Sequence, residues 1–265
     1  MKTPLRYPGG KSRAVKYILP LIPESVERVC SPFFGGGSVE LALASRGTQV
    51  FGYDKMKQLV WFWQGLCGDS SKLADEVEKL REQYLIRDGA AVTGCSKESF
   101  HRYRDDLKVE TFMFSYERAA KYYAINRASF SGATFSGGWS ERASYARFTE
   151  SSVQRLRDFN AQKFRVDYAD FEDAIFYHPK AFLYLDPPYM LKGSQNSLYG
   201  VDGNLHNSFD HERLHGILTN RSGWLMSYND CETIRKMYNR YEIVEAAWAY
   251  GMNKSKHSSE ILIKG

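Results

Sequence analysis

The sequence predicts an α/β protein in which a doubly wound sheet carries an inserted, mainly helical segment. Three observations predict it. Strand and helix signals alternate over the first 55 residues and again from Lys163 onward. Between them, from about 56 to 160, helical periodicity dominates and strand signals are few. The two loops with the most unusual composition, Pro32–Ser38 and Asp186–Tyr189, each follow a short apolar strand, where open α/β sheets place their ligands.

In chain order, Lys11 to Ile22 sets Val15, Ile18, Leu19 and Ile22 at helical spacing. Arg28 to Phe34 reads as a strand running into Gly35-Gly36-Gly37. Ser38 is the expected cap of a small-residue helix that reaches Arg46 and stops at Gly47. Gln49 to Tyr53 is a second strand, finishing at Asp54. The insertion reads as helices at about 57–67, 71–87, 97–107 and 115–128, then a loop rich in Gly, Ser and aromatics from Ser129 to Tyr145. Alternation resumes with a strand at Phe164–Val166, a helix at 170–177 and an apolar strand at Ala181–Leu185. A helix at 210–220 carries Leu214 and Leu218, and a strand at Trp224–Tyr228 and a helix at 230–238 follow. The last two strands, 241–249 and 259–264, are close enough in sequence to pair antiparallel. The expected organisation is a discontinuous main domain, 1–56 and 160–265, with an insert at 57–159.

At 265 residues the chain can bury a full core, and no segment is of low complexity, which argues against disorder. It holds no run of about 18 apolar residues, and the basic start is followed by Pro8-Gly9-Gly10 instead of an apolar stretch, so neither a membrane span nor a signal peptide is expected. Cys30, Cys67, Cys95 and Cys231 are scattered, without metal-ligand spacing, which suits a reduced intracellular compartment. The net charge is +5, and Arg118 to Arg165 alone carries nine Lys/Arg against three acids. A basic stretch interleaved with Tyr, Phe and Trp suits a phosphate backbone and unstacked bases, although a solvated basic face has the same composition.

Two motifs carry chemistry. Pro32-Phe33-Phe34-Gly35-Gly36-Gly37-Ser38 joins strand to helix, and Asp54 ends the next strand. Glycines allow a tight turn and close approach of a ligand; an acid about 20 residues on is placed to accept ribose hydroxyls. Together they suit an adenosine-containing cofactor without saying which. In Asp186-Pro187-Pro188-Tyr189 the two prolines stiffen the turn and remove two amide donors. Asp186 and the Pro187 carbonyl are acceptors, and Tyr189 is a flat platform. That set suits an exocyclic amino group on a planar ring.

With these motifs in view, nearly the whole chain resembles the Dam-type (D12 class, alpha-group) adenine-specific DNA methyltransferases. Arg6-Tyr7-Pro8-Gly9-Gly10-Lys11 resembles that family's N-terminal cofactor motif, Ser31 to Val39 its glycine motif, Asp54 its ribose-binding acid and Asp186–Tyr189 its catalytic loop. Ile125-Asn126-Arg127 with Phe130-Ser131-Gly132 is similar to its DNA-contacting segment, and Asn207-Ser208-Phe209 and Glu260-Ile261-Leu262 also fit its pattern.

The resemblance implies a Rossmann-like S-adenosylmethionine-dependent methyltransferase sheet with a helical target-recognition insert. It implies transfer of a methyl group to the N6 of an adenine flipped out of double-stranded DNA. Tyr7, Lys11, Phe33, Gly35, Gly37, Asp54, Asp170, Phe171 and Asp186 would hold the cofactor. Tyr7 and Lys11 would serve its methionine end, Lys11 facing the carboxylate, and Asp170 and Phe171 its adenine. Asp186, Pro187, Pro188 and Tyr189 would be catalytic. Asn126, Arg127, Ser131, Trp139, Arg142, Arg147 and Asn207 are the DNA-contact candidates, with packing inside the insert the other reading of Trp139. No metal is required, and a monomer or weak dimer is expected. An intracellular setting, bacterial or viral, with a role in restriction–modification or strand marking, fits the family.

Three other readings compete. N4-cytosine methylation uses a related loop, more often with Ser where this chain has Asp186. A DNA-binding module that has lost catalysis would not need the intact loop. His211-Glu212-Arg213-Leu214-His215 matches the H-E-x-x-H pattern of zinc metalloproteases, but it is short, and His206 and His257 are the only candidates for a third ligand.

Overall fold

The computed structural model describes residues 2–109, 113–160, 162–190, 209–246 and 260–265. In chain order its strands are β1 (Arg28–Ser31), β2 (Gln49–Asp54), β3 (Glu82–Arg87), β4 (Ala90–Gly94), β5 (Phe164–Tyr168), β6 (Phe182–Leu185), β7 (Trp224–Asn229), β8 (Glu242–Ala246) and β9 (Glu260–Lys264). Seven form one sheet in the order β5-β2-β1-β6-β7-β9-β8, and β3 pairs with β4 apart from it. From β5 to β7 the pairing is parallel, with Val29 opposite Val50 and Cys30 opposite Leu183; β9 runs antiparallel to both β7 and β8.

Chain direction explains where the site lies. From β1 the chain builds outward through β2 to β5, then returns to lay β6 and β7 on the other side of β1. The reversal lies between β1 and β6, and the loops leaving their carboxyl ends part there to form a crevice. The loop after β1 is the glycine motif; the loop after β6 begins with Asp186.

Both faces of the sheet are covered, so its central strands are largely apolar. Val29, Tyr184, Leu225 and Leu262 face one core, while Cys30, Leu183, Leu185, Met226 and Ile263 face the other, the alternation expected of extended chain. The first core continues into helices α3 (Lys57–Gly68), α4 (Ser70–Lys79), α5 (Lys97–Lys108) and α6 (Tyr116–Ala128). α3 and α6 are buried around most of their circumference; Trp63 and Tyr123 are fully enclosed, and Phe62 stacks on Tyr123 at 5.6 Å. The second core lies under α9 (Phe171–Tyr177), α10 (His211–Leu218) and α11 (Glu232–Met237).

Several expected elements change. The helix expected over Lys11–Ile22 is one α turn, α1 (Val15–Ile18), followed by a 3₁₀ turn at Leu19–Leu21 containing Pro20, which cannot donate a backbone hydrogen bond. Ser38 does not cap α2 (Ser38–Ser45): Gly37, at φ 65°, holds the cap position, and Ser38 Oγ meets Ser12 Oγ at 2.9 Å. The helix expected at 71–87 stops at Lys79, and the chain enters the β3–β4 hairpin. Asp88 (φ 51°) and Gly89 (φ 79°) form its turn, both left-handed as a two-residue hairpin requires.

Where a loop was expected to Tyr145, α7 (Glu141–Arg147) begins, capped by Ser140, and α8 (Glu150–Arg157) follows, capped by Thr149. β8 and β9 pair antiparallel as expected, and residues 247–249 of the expected strand lie outside the described residues.

Candidate active site

The crevice between β1 and β6 opens into a cavity of about 340 Å³, inside the range of small-molecule sites, about 300–1,000 Å³. Its floor is the glycine loop. Gly35 and Gly37 take positive φ, 49° and 65°, which glycine adopts without strain. The loop is pinned from three directions: Phe34 N–H donates to Tyr53 O, Gly35 N–H to Asp54 Oδ2 at 3.0 Å, and Trp63 Nε1 to Gly35 O at 3.1 Å. Side-chain packing also demands glycine here. A Cβ at Gly36 would lie 2.7 Å from Tyr7 Cβ, and one at Gly52 would lie 2.0 Å from the Phe34 ring. The Tyr7 segment is therefore clamped directly over the loop.

Asp54 stands at the end of β2. Its carboxyl lines the cavity and accepts from the backbone of Gly35 and Met56. Burial pushes it up to about 6, against the lowering effect of those amides. Asp170 caps α9 and takes an ion pair from Lys55 Nζ at 2.6 Å. Beside it, Phe171 lies nearly parallel to Phe33 at 5.8 Å, and Phe209 meets Phe33 edge-on at 5.5 Å. These three rings and two acids offer a flat apolar surface with polar acceptors nearby, which suits a nucleoside.

Asp186 is bonded through both of its oxygens. Lys11 Nζ donates to its Oδ1 at 2.7 Å and Oδ2 at 2.8 Å, and Ser227 Oγ donates to Oδ1 at 2.7 Å. Lys11 is 4% exposed, bonds Gly9 O, and lies 3.9 Å from Glu260. Tyr189 donates its hydroxyl to Glu260, stacks on Tyr228 at 5.6 Å and has the Lys11 ammonium 5.1 Å from its ring centre. Tyr228 in turn bonds the Pro188 carbonyl at 3.3 Å. The loop is thus tied to the N-terminal segment, β7 and β9. What results is a carboxylate fixed in plane beside an aromatic ring, at the mouth of a nucleoside-sized cavity.

The family model of the D12 class N6 adenine-specific DNA methyltransferases matches residues 7–252. The chain belongs to that family. It is therefore an enzyme that methylates DNA at the N6 of adenine, and the cytosine and protease readings are not favoured.

Within this adenine methyltransferase most of the expected cofactor and catalytic residues meet in one cavity: Tyr7, Phe33, Gly35, Gly37, Asp170 and Phe171 line it with Lys11, Asp54, Asp186 and Pro188. Lys11 is the departure, because its ammonium is bonded to Asp186. Pro187 is buried in the same loop.

The DNA-contact candidates divide. Asn126 is fully buried; its amide accepts from Arg6 N–H and donates to Arg6 O and Gly132 O. Arg127, 6% exposed, donates to Arg147 O twice and to Pro4 O. Both are internal struts, a correction to their expected place on the DNA face. Trp139 is half-buried, with its indole N–H on Cys95 O at 2.9 Å, so the packing reading of this ring is the one the structure shows. Arg142 and Arg147 are exposed, and Ser131 is half-exposed at φ 54°. Asn207, with Ser208, His206 and His257, lies outside the described residues.

His211 and His215 both lie on α10 but face different tyrosines. His211 Nδ1 pairs with the Tyr228 hydroxyl, and the His215 ring packs edge-on against Tyr238 at 4.9 Å. Among the described residues no group of three or more His, Cys, Asp or Glu is arranged to hold a metal. Sequence reasoning missed Glu40, Ser227 and Tyr228 altogether and gave Glu260 no role. Ser227, Tyr228 and Glu260 meet the site across strands, where no local motif marks them, and Glu40 directly follows the glycine motif on α2.

Proposed function

We propose that S-adenosylmethionine is the methyl donor, and that this enzyme takes its target adenine flipped out of double-stranded DNA. The cavity's chemistry fits that donor. Phe33 and Phe171 give a purine-sized stacking surface, Asp170 a nearby acceptor, and the Asp54 carboxylate suits a ribose diol. When bound, the donor supplies an electrophilic methyl group.

The observation that carries the reading is the bonding of Asp186. A carboxylate has about four lone-pair sites, and Lys11 and Ser227 use both on Oδ1 but only one on Oδ2. Oδ2 is then the atom that accepts an N6–H. The Pro187 carbonyl takes the second hydrogen, and Tyr189 supports the ring. Two acceptors draw the amino group toward tetrahedral geometry and expose its lone pair for in-line attack. Asp186, held in place by Lys11 and Ser227, would take up the proton that N6 gives up as it is methylated. A paired adenine does not reach this recessed loop without leaving the stack.

For the DNA face we infer the insert at 57–159, with Arg142, Arg147 and Ser131 at the contact and the main domain, 1–56 and 160–265, as the catalytic unit. Arg147 lies close to Arg6, which burial lowers first and the Arg147 charge lowers further. Such a pair favours phosphate. Phe130 stands beside Ser131, 63% exposed. The test is incubation with labelled S-adenosylmethionine and either duplex or single-stranded genomic DNA, followed by hydrolysis. Label in N6-methyladenine of the duplex supports the reading; transfer to single strands alone, or to none, ends it.

A further inference from the structure

Glu40 is a buried acid that the chemistry above leaves without a task. It is the third residue of α2, 3% exposed, and lines the cavity. Ser31 Oγ donates to its Oε1 at 2.7 Å. Its charged neighbours are Lys11, from the N-terminal segment, and Asp186, from the loop after β6. Lys11 is bonded to both oxygens of Asp186 and lies 3.9 Å from Glu260. Among the described residues, Lys11 is thus the ammonium whose charge reaches both Asp186 and Glu40. Burial pushes Glu40 up to about 7, although Lys11 pulls the other way.

We propose that Glu40 is the group that binds the α-ammonium of the methyl donor's amino-acid tail. The assignment rests on S-adenosylmethionine being the donor. The reactive methyl has to face Asp186, and Glu40 is close enough to Asp186 and Lys11 to feel the charge of both, so it lies at the amino-acid end. An ammonium brings three N–H donors, and the Glu40 carboxyl, which accepts from Ser31 Oγ and its own backbone amide, has acceptor capacity left among its roughly four lone-pair sites. A sulfonium has no hydrogen to donate. Arrival of the ammonium gives Glu40 a counter-charge and ionises it, so binding near neutral pH releases a proton.

The experiment is isothermal titration of the protein with S-adenosylhomocysteine and with the analogue whose α-amino group is replaced by hydrogen. At about pH 8 the unaltered protein should prefer the amino compound by about 10- to 100-fold, the range of a charge-assisted hydrogen bond. Glu40→Gln should lose that factor for S-adenosylhomocysteine and stay within about threefold for the deamino compound. At about pH 7, the heat of binding S-adenosylhomocysteine to the unaltered protein should vary with buffer ionisation enthalpy more than that of the deamino compound. Both ligands carry the ribose, so any proton exchanged at Asp54 is common to them.

Equal affinity of the unaltered protein for the two ligands overturns the assignment, as does an equal loss for both in Glu40→Gln. If the unaltered protein binds neither ligand, the donor reading fails and the assignment falls with it. If Glu40→Gln does not fold, the two-ligand comparison and the proton release on the unaltered protein still decide.

Discussion

Replacing Lys11 by methionine removes the only cation shown bonded to Asp186 while keeping the side chain's bulk. Asp186 and Glu40, which both line the cavity, then lose the Lys11 charge that each feels. Breaking a fully buried pair costs about 3–5 kcal/mol. Here Asp186 is 23% exposed and keeps Ser227 Oγ, so about 2–4 kcal/mol is expected at neutral pH. The sign of the pH dependence follows from Glu40. Burial raises Glu40 to about 7 although Lys11 pulls it down, so without Lys11 the folded variant holds the Glu40 proton to higher pH and gains as pH falls. The deficit relative to the unaltered protein should be largest at about pH 8 and shrink by about pH 5.5. Methyl transfer should fall on the order of 100-fold or more, because the carboxylate loses the partner that fixes its plane. Urea unfolding at both pH values and single-turnover transfer measure these effects. A variant with unchanged stability at both pH values and near-normal transfer would refute the role given to this ion pair.

Asn126→Ala should destabilise the fold by about 2–4 kcal/mol, since it strands buried backbone groups of Arg6 and Gly132. Arg142→Ala with Arg147→Ala should leave stability within about 0.5 kcal/mol yet weaken duplex binding and reduce its salt slope by about 2; denaturation and salt-dependent binding together separate these two outcomes. Gly52→Ala forces a Cβ into the Phe34 ring, which packs on Trp63 at 5.1 Å, and should cost about 1–3 kcal/mol in thermal unfolding. In the ligand-free protein Glu40 sits at about 7 and Asp54 at about 6, both raised from ordinary values of 4.5 and 3.8. The folded state therefore holds more protons, and these groups' contribution to stability is lost as pH rises through that window. Glu40→Gln should be the more stable protein at about pH 8, by no more than about 3 kcal/mol, with the gap closing by about pH 4.5.

What was legible in the sequence was what is local. Gly35-Gly36-Gly37, Asp54 and Asp186–Tyr189 each sit at a strand end, and strand, loop and helix signals lie within a few residues of one another. The parallel sheet followed from alternation, and the β8–β9 pair from the short distance between the strands. The β3–β4 hairpin was also written locally, in Asp88-Gly89, but helical periodicity through 79 obscured it. What could not be read were tertiary partnerships. Lys11 meets Asp186 across 175 positions, and Ser227 meets it across 41. Resemblance to a DNA-contacting segment places Asn126 and Arg127 at the DNA; only the fold shows that they hold the Pro4–Arg6 segment and Gly132 in place.

The account stands on Asp186 as the acceptor for the adenine amino group. The direct measurement is single-turnover transfer of labelled methyl from S-adenosylmethionine to adenine in duplex DNA, for the unaltered enzyme and Asp186→Ala, with duplex affinity measured alongside. The account predicts N6-methyladenine from the first, a loss on the order of 1,000-fold in the second, and duplex affinities within about threefold of each other. Transfer that survives in Asp186→Ala would contradict it.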